Sequence, residues 1–251
     1  VAARGCQGLE IAASKIWPEP TLSSMDERRR FRKDAAAAGL GIISLHSLLY
    51  TRRDLGLFRD SETERATARY LIELVDLASD LGAPVLVFGS PAARTRGPLA
   101  QSEAYARAAD FFAKPAAAAR ERGVSIVIEP LSPKETDFVN TAEEGLRLVE
   151  MVASPGFGLH LDAKSVAAEG PESGAVLSRM VPHLQHFHIN DPGLDEVGGR
   201  GDYHAEFGRA LNAAGYDKYA SIEMRTLPDF RSAIASSVEF AKKNYIVPGQ
   251  E

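Results

Sequence analysis

Seven times along this chain a short run of β-branched and aliphatic residues gives way to a longer amphipathic stretch. That alternation confines the fold to a parallel sheet covered by helices. The candidate strands are GLEIA (8–12), GIISLHS (41–47), PVLVFGS (84–90), and then 125–130, 157–163, 184–190 and 219–224. The helical stretches lie near 24–39, 61–82, 100–122, 141–153, 172–182, 204–214 and 228–244. Capping boxes, in which a hydroxyl accepts an orphan amide and an acid reaches back, are expected at Ser24–Glu27, Ser61–Glu64 and Thr141–Glu144. Gly39, Gly82, Gly123 and Gly215 fall where helices should stop. Pro115 predicts a kink or a restart inside the 100–122 stretch.

The last four strands share a second property: each ends in a side chain of the metal-binding type. SIVIEP ends with Glu129, FGLHLD with Asp162, LQHFHIND contains His188, and YASIEM holds Glu223. The separations of 33, 26 and 35 residues (162−129, 188−162, 223−188) match one strand-plus-helix unit each. Successive parallel strands therefore deliver three carboxylates and one imidazole to the same end of the sheet, where parallel barrels carry their chemistry. Such a donor set suits one divalent ion of the manganese, magnesium or cobalt kind. A Glu closing an apolar strand is costly unless it is ionised against a cation. Asp162 has a second possible role, capping the turn that follows it. Period two puts His186 and His188 on one face, so the pattern does not separate them. His188 is favoured because it lies nearer the strand's end and precedes Asn190 and Asp191. His186 then reads as an interior histidine, and His160 as a partner of the ligands or a barrel-layer residue.

Four consecutive strand ends converging on one ion need a curved, closed rim, whereas an open doubly wound sheet spreads neighbouring ends apart. The expected fold is therefore an α/β (β/α)8 TIM barrel forming a single domain over residues 1–251. Only seven strands are visible. The opening VAARGCQGLEIA reads as the tail of a helix entering a strand, so these are taken as strands two to eight, the first lying outside the sequence given.

The segments IEPLSPKETDFVNTAEE, LDAKS, HFHIND, GGRGDYHAEF and SIEMR resemble the sugar isomerase/epimerase group of the xylose isomerase-like barrels. That group includes ketose 3-epimerases, hydroxypyruvate isomerases and inosose dehydratases, and its barrel is shared with endonuclease IV. The resemblance runs from GLEIA to the last helix. It implies that Glu129, Asp162, His188 and Glu223 bind one divalent metal. It also implies that Glu135, six residues after the first ligand, contacts substrate. The sequence departs from the ketose epimerases at Ser165, where they carry a substrate-binding His three residues after the ligand Asp. The arginine expected shortly after the ligand His is also absent before Arg200. Both departures weaken simple ketose 3-epimerisation. Ser165 also counts against endonuclease IV, whose three-zinc cluster needs further histidines.

Other residues fall near the same rim. Glu10 ends the first visible strand, and Trp17 in SKIWPEP either walls a sugar pocket or packs its loop. His46 either bonds a substrate hydroxyl or is structural. Arg94 and Arg96 either fork a carboxylate or phosphate or are solvated charge. Lys164 is placed to hold a substrate oxygen or pair with an acid, and Arg225, on the face of Glu223, to orient it.

The net charge of −5 offers no general attraction for nucleic acid or an anionic membrane, and no run is long and apolar enough to span a bilayer. The lone Cys6 excludes an internal disulfide and suits a reducing cytoplasm. The function expected is a metal-dependent isomerase or epimerase of a small sugar or related polyhydroxy carbonyl compound. It would act through an enediolate, with Glu129 and Glu223 as acid and base. A metal-dependent dehydratase of a keto-sugar or inosose is the alternative, and a non-catalytic sugar-binding barrel or enzyme subunit a third. A homo-oligomer is left open.

Overall fold

The computed structural model of the protein describes residues 1–246. Residues 247–251, which the single-domain expectation includes, lie outside the described part. Seven strands run through it: β1 Gly8–Ala12, β2 Gly41–His46, β3 Val85–Phe88, β4 Ser125–Ile128, β5 Phe157–Asp162, β6 Leu184–Ile189 and β7 Ala220–Ile222. They follow one another across the sheet in chain order. The pairs β1–β2, β2–β3, β3–β4, β4–β5 and β6–β7 are parallel. The helices are α1 Met25–Ala37, α2 Ser61–Leu81, α3 Gln101–Glu121, α4 Ala142–Val152, α5 Ala163–Ala167, α6 Ser173–Met180, α7 His204–Ala213 and α8 Phe230–Tyr245. All seven expected strands and helices are present, most of them trimmed at their ends, and α5 is an addition. The chain divides into two compact units, one of residues Gln7–Leu159 and one of Val1–Cys6 with the residues from His160 onward.

In the Gln7–Leu159 unit, β3 is buried along its whole length, and so is β4 from Ile126 to Ile128. Strands covered on both faces read as continuous apolar runs for this reason. Phe112 of α3 stands edge-on to Phe88 at 5.2 Å between ring centroids and lies 4.6 Å from Phe157. Each such ring contributes about 1.5–3 kcal/mol by its burial. Helix α2 turns eight residues inward, from Thr67 to Leu81, and ends on Gly82 in the left-handed conformation (φ 78°).

Two expectations about helix starts need correcting. The Ser24 box is complete, with Glu27 N–H donating to the Ser24 hydroxyl and Ser24 N–H to the Glu27 carboxylate. At α2, however, the cap is Asp60, whose Oδ1 accepts the amides of Glu62 and Thr63 at 3.0 and 2.9 Å, and Ser61 is the first helical residue. A carboxylate facing two orphan amides outcompetes a hydroxyl one position later. At α4, Thr141 accepts from Glu144 N–H at 3.2 Å, but the Glu144 carboxylate reaches one residue further back, to Asn140 N–H at 2.6 Å. Pro115 causes no restart: α3 is one helix through it, with Pro115 among its buried residues.

In the unit from His160 onward, β6 and the second half of β5 are largely buried, and α7 and α8 pack closely. A Cβ at Gly208 of α7 would overlap the Asn244 carbonyl oxygen of α8. Glycine is required there because two backbones meet.

Candidate functional site

In the Gln7–Leu159 unit, β4 stops at Ile128 and the next residue is Glu129, whose N–H still donates to the Phe88 carbonyl at 3.3 Å. The ladder thus holds its backbone, while its carboxylate lies against Gly89, where a Cβ would overlap Oε2. Glu129 is 9% exposed. Arg94 is not a rim fork for anions. It is fully buried, its Nη2 donates to the Glu129 carbonyl at 2.7 Å, and its Nε and Nη1 have no hydrogen-bond partner among the described residues. Burial brings its guanidinium down to about 10, against the upward pull of Glu129 and Glu135. Arg96 is committed to the Asp137 and Leu99 carbonyls, while the Asp137 carboxylate accepts the amides of Arg96 and Gly97. Glu135 is exposed and turns back to accept Ser132 N–H at 3.3 Å. At the ends of β1 and β2, Ser44 donates to Glu10, and half-buried His46 has its Nδ1 3.9 Å from Glu10. Trp17 is buried edge-on to Phe31 at 5.4 Å, so it packs its loop against α1.

The unit from His160 onward holds a compact set of acids and donors. Asp162 ends β5 and caps α5: its Oδ1 accepts Ser165 N–H at 2.8 Å. Its Oδ2 accepts from Lys164 Nζ at 2.7 Å and from Asn190 Nδ2 at 2.6 Å. The same Asn190 amide donates to Glu223 Oε2 at 2.8 Å, and His188 Nδ1 lies 3.4 Å from that oxygen. Burial raises the Glu223 carboxyl, but His188, Asn190 and Lys164 outweigh it and hold it at about 2. Ser165 meets Asp162 through its backbone. Arg225 Nε donates to Asp195 at 2.8 Å.

His186, two residues below His188, has its Nε2 3.0 Å from the Ser221 hydroxyl, in keeping with an interior role. His160, His186 and His188 stand together, with ring centroids 4.1–5.4 Å apart. Asp191 faces the other way. It meets His204 Nε2 at 2.6 Å and accepts the amides of Gly198, Gly199 and Arg200, while His204 Nδ1 lies 2.6 Å from the Tyr245 hydroxyl. Burial would raise the Asp191 carboxyl, yet His204 and the amides of Arg200 and Gly198 bring it below the ordinary aspartate range. Asn190, Gly89 and Asp191 carry no candidate role on sequence grounds. Only Asn190 had a signal, its period-two placement on the face of His188.

No helix among the described residues is long and apolar enough to cross a membrane. A family model described as xylose isomerase-like TIM barrel matches residues 1–244. An L-ribulose 3-epimerase from Mesorhizobium japonicum is 30% identical over 120 residues, 47% of this chain, and the match spans 40% of that relative's length. Two solved structures superpose closely. A D-psicose 3-epimerase, crystallised in the presence of D-fructose, gives a TM-score of 0.80 at 22% identity over 98% of this chain and 91% of that one. A 3-keto-D-glucoside 4-epimerase from E. coli gives 0.81 at 17% identity over 97% and 91%. At these identities the likeness is one of fold.

Proposed function

Since the chain belongs to the xylose isomerase-like TIM barrel family, we propose that it is a one-domain, divalent metal-dependent epimerase of a small ketose or keto-sugar. The observation that carries this reading is the acid pair held by Asn190, with His188 at 3.4 Å from one member. Two carboxylates sharing one neutral donor concentrate negative charge that a single lysine, Lys164, offsets only in part. The set therefore fits a hard dication of the manganese, magnesium or cobalt kind, with Asp162, His188 and Glu223 as ligands. Glu129 is assigned as the fourth from register: Ile128 pairs with Leu159, so β4 releases Glu129 at the end of the sheet to which β5 carries Asp162.

A divalent ion held there supplies positive charge to a carbonyl oxygen and a neighbouring hydroxyl, acidifying the adjacent C–H bond. Glu129 and Glu223 do the proton work. One, as the carboxylate, takes the proton from carbon; the other, as the carboxylic acid, delivers its own solvent-derived proton to the opposite face, which inverts the centre. His188, Asn190 and Lys164 hold Glu223 toward the carboxylate form, the form a cation binds. His46 and Glu135 are the residues we assign to sugar hydroxyls, with the protein at work in the cytoplasm.

Elemental analysis of the purified protein beside Asp162→Ala and His188→Ala tests the metal. About one ion per chain, lost in both variants, is expected. Ketoses incubated in deuterated water then test the chemistry, with deuterium expected at the inverted carbon. No bound ion after soaking with manganese, magnesium and cobalt sinks the reading, and a product lighter by one water moves the chain to the dehydratases.

A further inference from the structure

Asn190 is fully buried and committed at both ends. Its Oδ1 accepts Lys164 N–H at 3.0 Å, and its Nδ2 donates to Asp162 and to Glu223 at 2.6 and 2.8 Å. Its backbone carbonyl accepts the Tyr203 hydroxyl at 2.8 Å. An amide faced by one N–H and two carboxylates has only one satisfactory orientation, so its donors and acceptor are fixed by their surroundings. The residue therefore ties the ends of β5, β6 and β7, the first turn of α5 and the loop carrying Tyr203.

We infer that Asn190 is a positioning residue that sets the spacing of the Asp162 and Glu223 carboxylates, holding two acids together before any ion arrives. The inference rests on the metal reading for its purpose, though not for its geometry. Two acids brought this close repel. A neutral side chain with two N–H groups lets each find a donor without adding a charge that would compete with an incoming cation. A lysine in this place would neutralise the site, and a third acid would push it apart. An apolar residue would leave both oxygens without that donor.

The test uses Mn2+ alone as probe, with Asn190→Ala and Asn190→Asp in the full chain. Mn2+ affinity is read by titration, and melting temperature is read with and without the ion. Asn190→Ala is expected to bind Mn2+ about 10–100-fold more weakly, the usual cost of losing a group that orients ligands. Asn190→Asp keeps the shape and the acceptor for Lys164 N–H. A role confined to side-chain shape and the Lys164 N–H contact thus predicts a wild-type melting temperature for it. The spacing role predicts a fall of several degrees without metal, and a larger Mn2+-induced rise than in the wild type. The inference is overturned by a wild-type melting temperature in Asn190→Asp, or by Mn2+ affinity in Asn190→Ala within about threefold of wild type. If the wild type binds no Mn2+, the metal reading fails by itself, and the metal-free melting of Asn190→Asp still decides the spacing role.

Discussion

Gly89 gives direct access to one carboxylate. A Cβ built there overlaps Glu129 Oε2, lies 3.3 Å from its carboxyl carbon, and meets Leu131 Cδ1 at 3.9 Å. Its φ lies outside the left-handed region, so alanine fits the backbone. Gly89→Ala is therefore a steric push on the tip of Glu129. Moving an oxygen from overlap to ordinary contact near 3.5 Å takes a retreat of about 1 Å. A misplacement of that size in a reacting group costs about 100-fold in rate, or roughly 2.7 kcal/mol of barrier. Stability should change little, because the obstacle is the end of a side chain. Gly41→Ala is the control: its nearest atom is the Gln7 carbonyl oxygen at 3.9 Å, and a strand alanine there is neutral or slightly stabilising. The assay is deuterium uptake into a ketose substrate, giving kcat and KM, alongside thermal melting and metal content. If Gly89→Ala turns over within about threefold of the wild type with its metal intact, Glu129 is not the reacting acid or base and its placement has been misread.

Two further outcomes follow from buried charges. Arg94→Met removes a guanidinium whose one hydrogen bond among the described residues goes to the Glu129 carbonyl. Urea denaturation should place this variant within about 1 kcal/mol of wild type or above it, while turnover falls because Glu129 loses its support; a large loss of stability with normal turnover would contradict this. Asp191, held below the usual aspartate value, contributes stability that is present above about pH 4 and is lost as the pH falls through its lowered folded value. Melting temperatures from pH 6 to pH 3 should therefore drop more steeply for the wild type than for Asp191→Asn, which starts lower, and parallel curves would refute the linkage.

Much of this molecule was legible in its sequence, because strand and helix periodicities are local signals. All seven strands appear where alternating and continuous apolar runs placed them. The four strand-end residues stand at strand ends because parallel topology delivers them there whatever the loops do. What stayed hidden depends on contacts between distant segments. Arg94 looks like a loop arginine, yet it is drawn under Glu129, 35 residues away. Ser61 looked like a cap, and the preceding aspartate took the position. Asp162 had two readings, and it does cap α5. Capping uses one lone pair of one oxygen, and a carboxylate has about four such sites, so the role of ligand stays open to it.

The glycine-rich GGRGDYHAEF stretch bears on the substrate. Successive backbone amides in such a turn form a nest for an anion, and a sugar phosphate is one candidate occupant. Here the nest is filled from within: Asp191 Oδ2 accepts all three amides at 2.9–3.0 Å, and a Cβ at Gly201 would crowd Asp191 Oδ1 and His204. The two arginines that suggested a phosphate fork are engaged as well, Arg94 buried against the Glu129 carbonyl and Arg96 on two loop carbonyls. Arg200 and Arg225 both turn to Asp195. These amides and arginines are thus spent on the fold, and turning them to a phosphate ester would first require breaking charge-assisted hydrogen bonds worth about 1.5–3 kcal/mol each. The expected preference is for the unphosphorylated sugar, by at least about tenfold in kcat/KM over its phosphate ester. Paired assays on a ketose and its terminal phosphate, with inorganic phosphate as competitor, measure this directly. Equal rates for the two, or inhibition by phosphate at micromolar concentration, would show an anion site that these contacts do not account for.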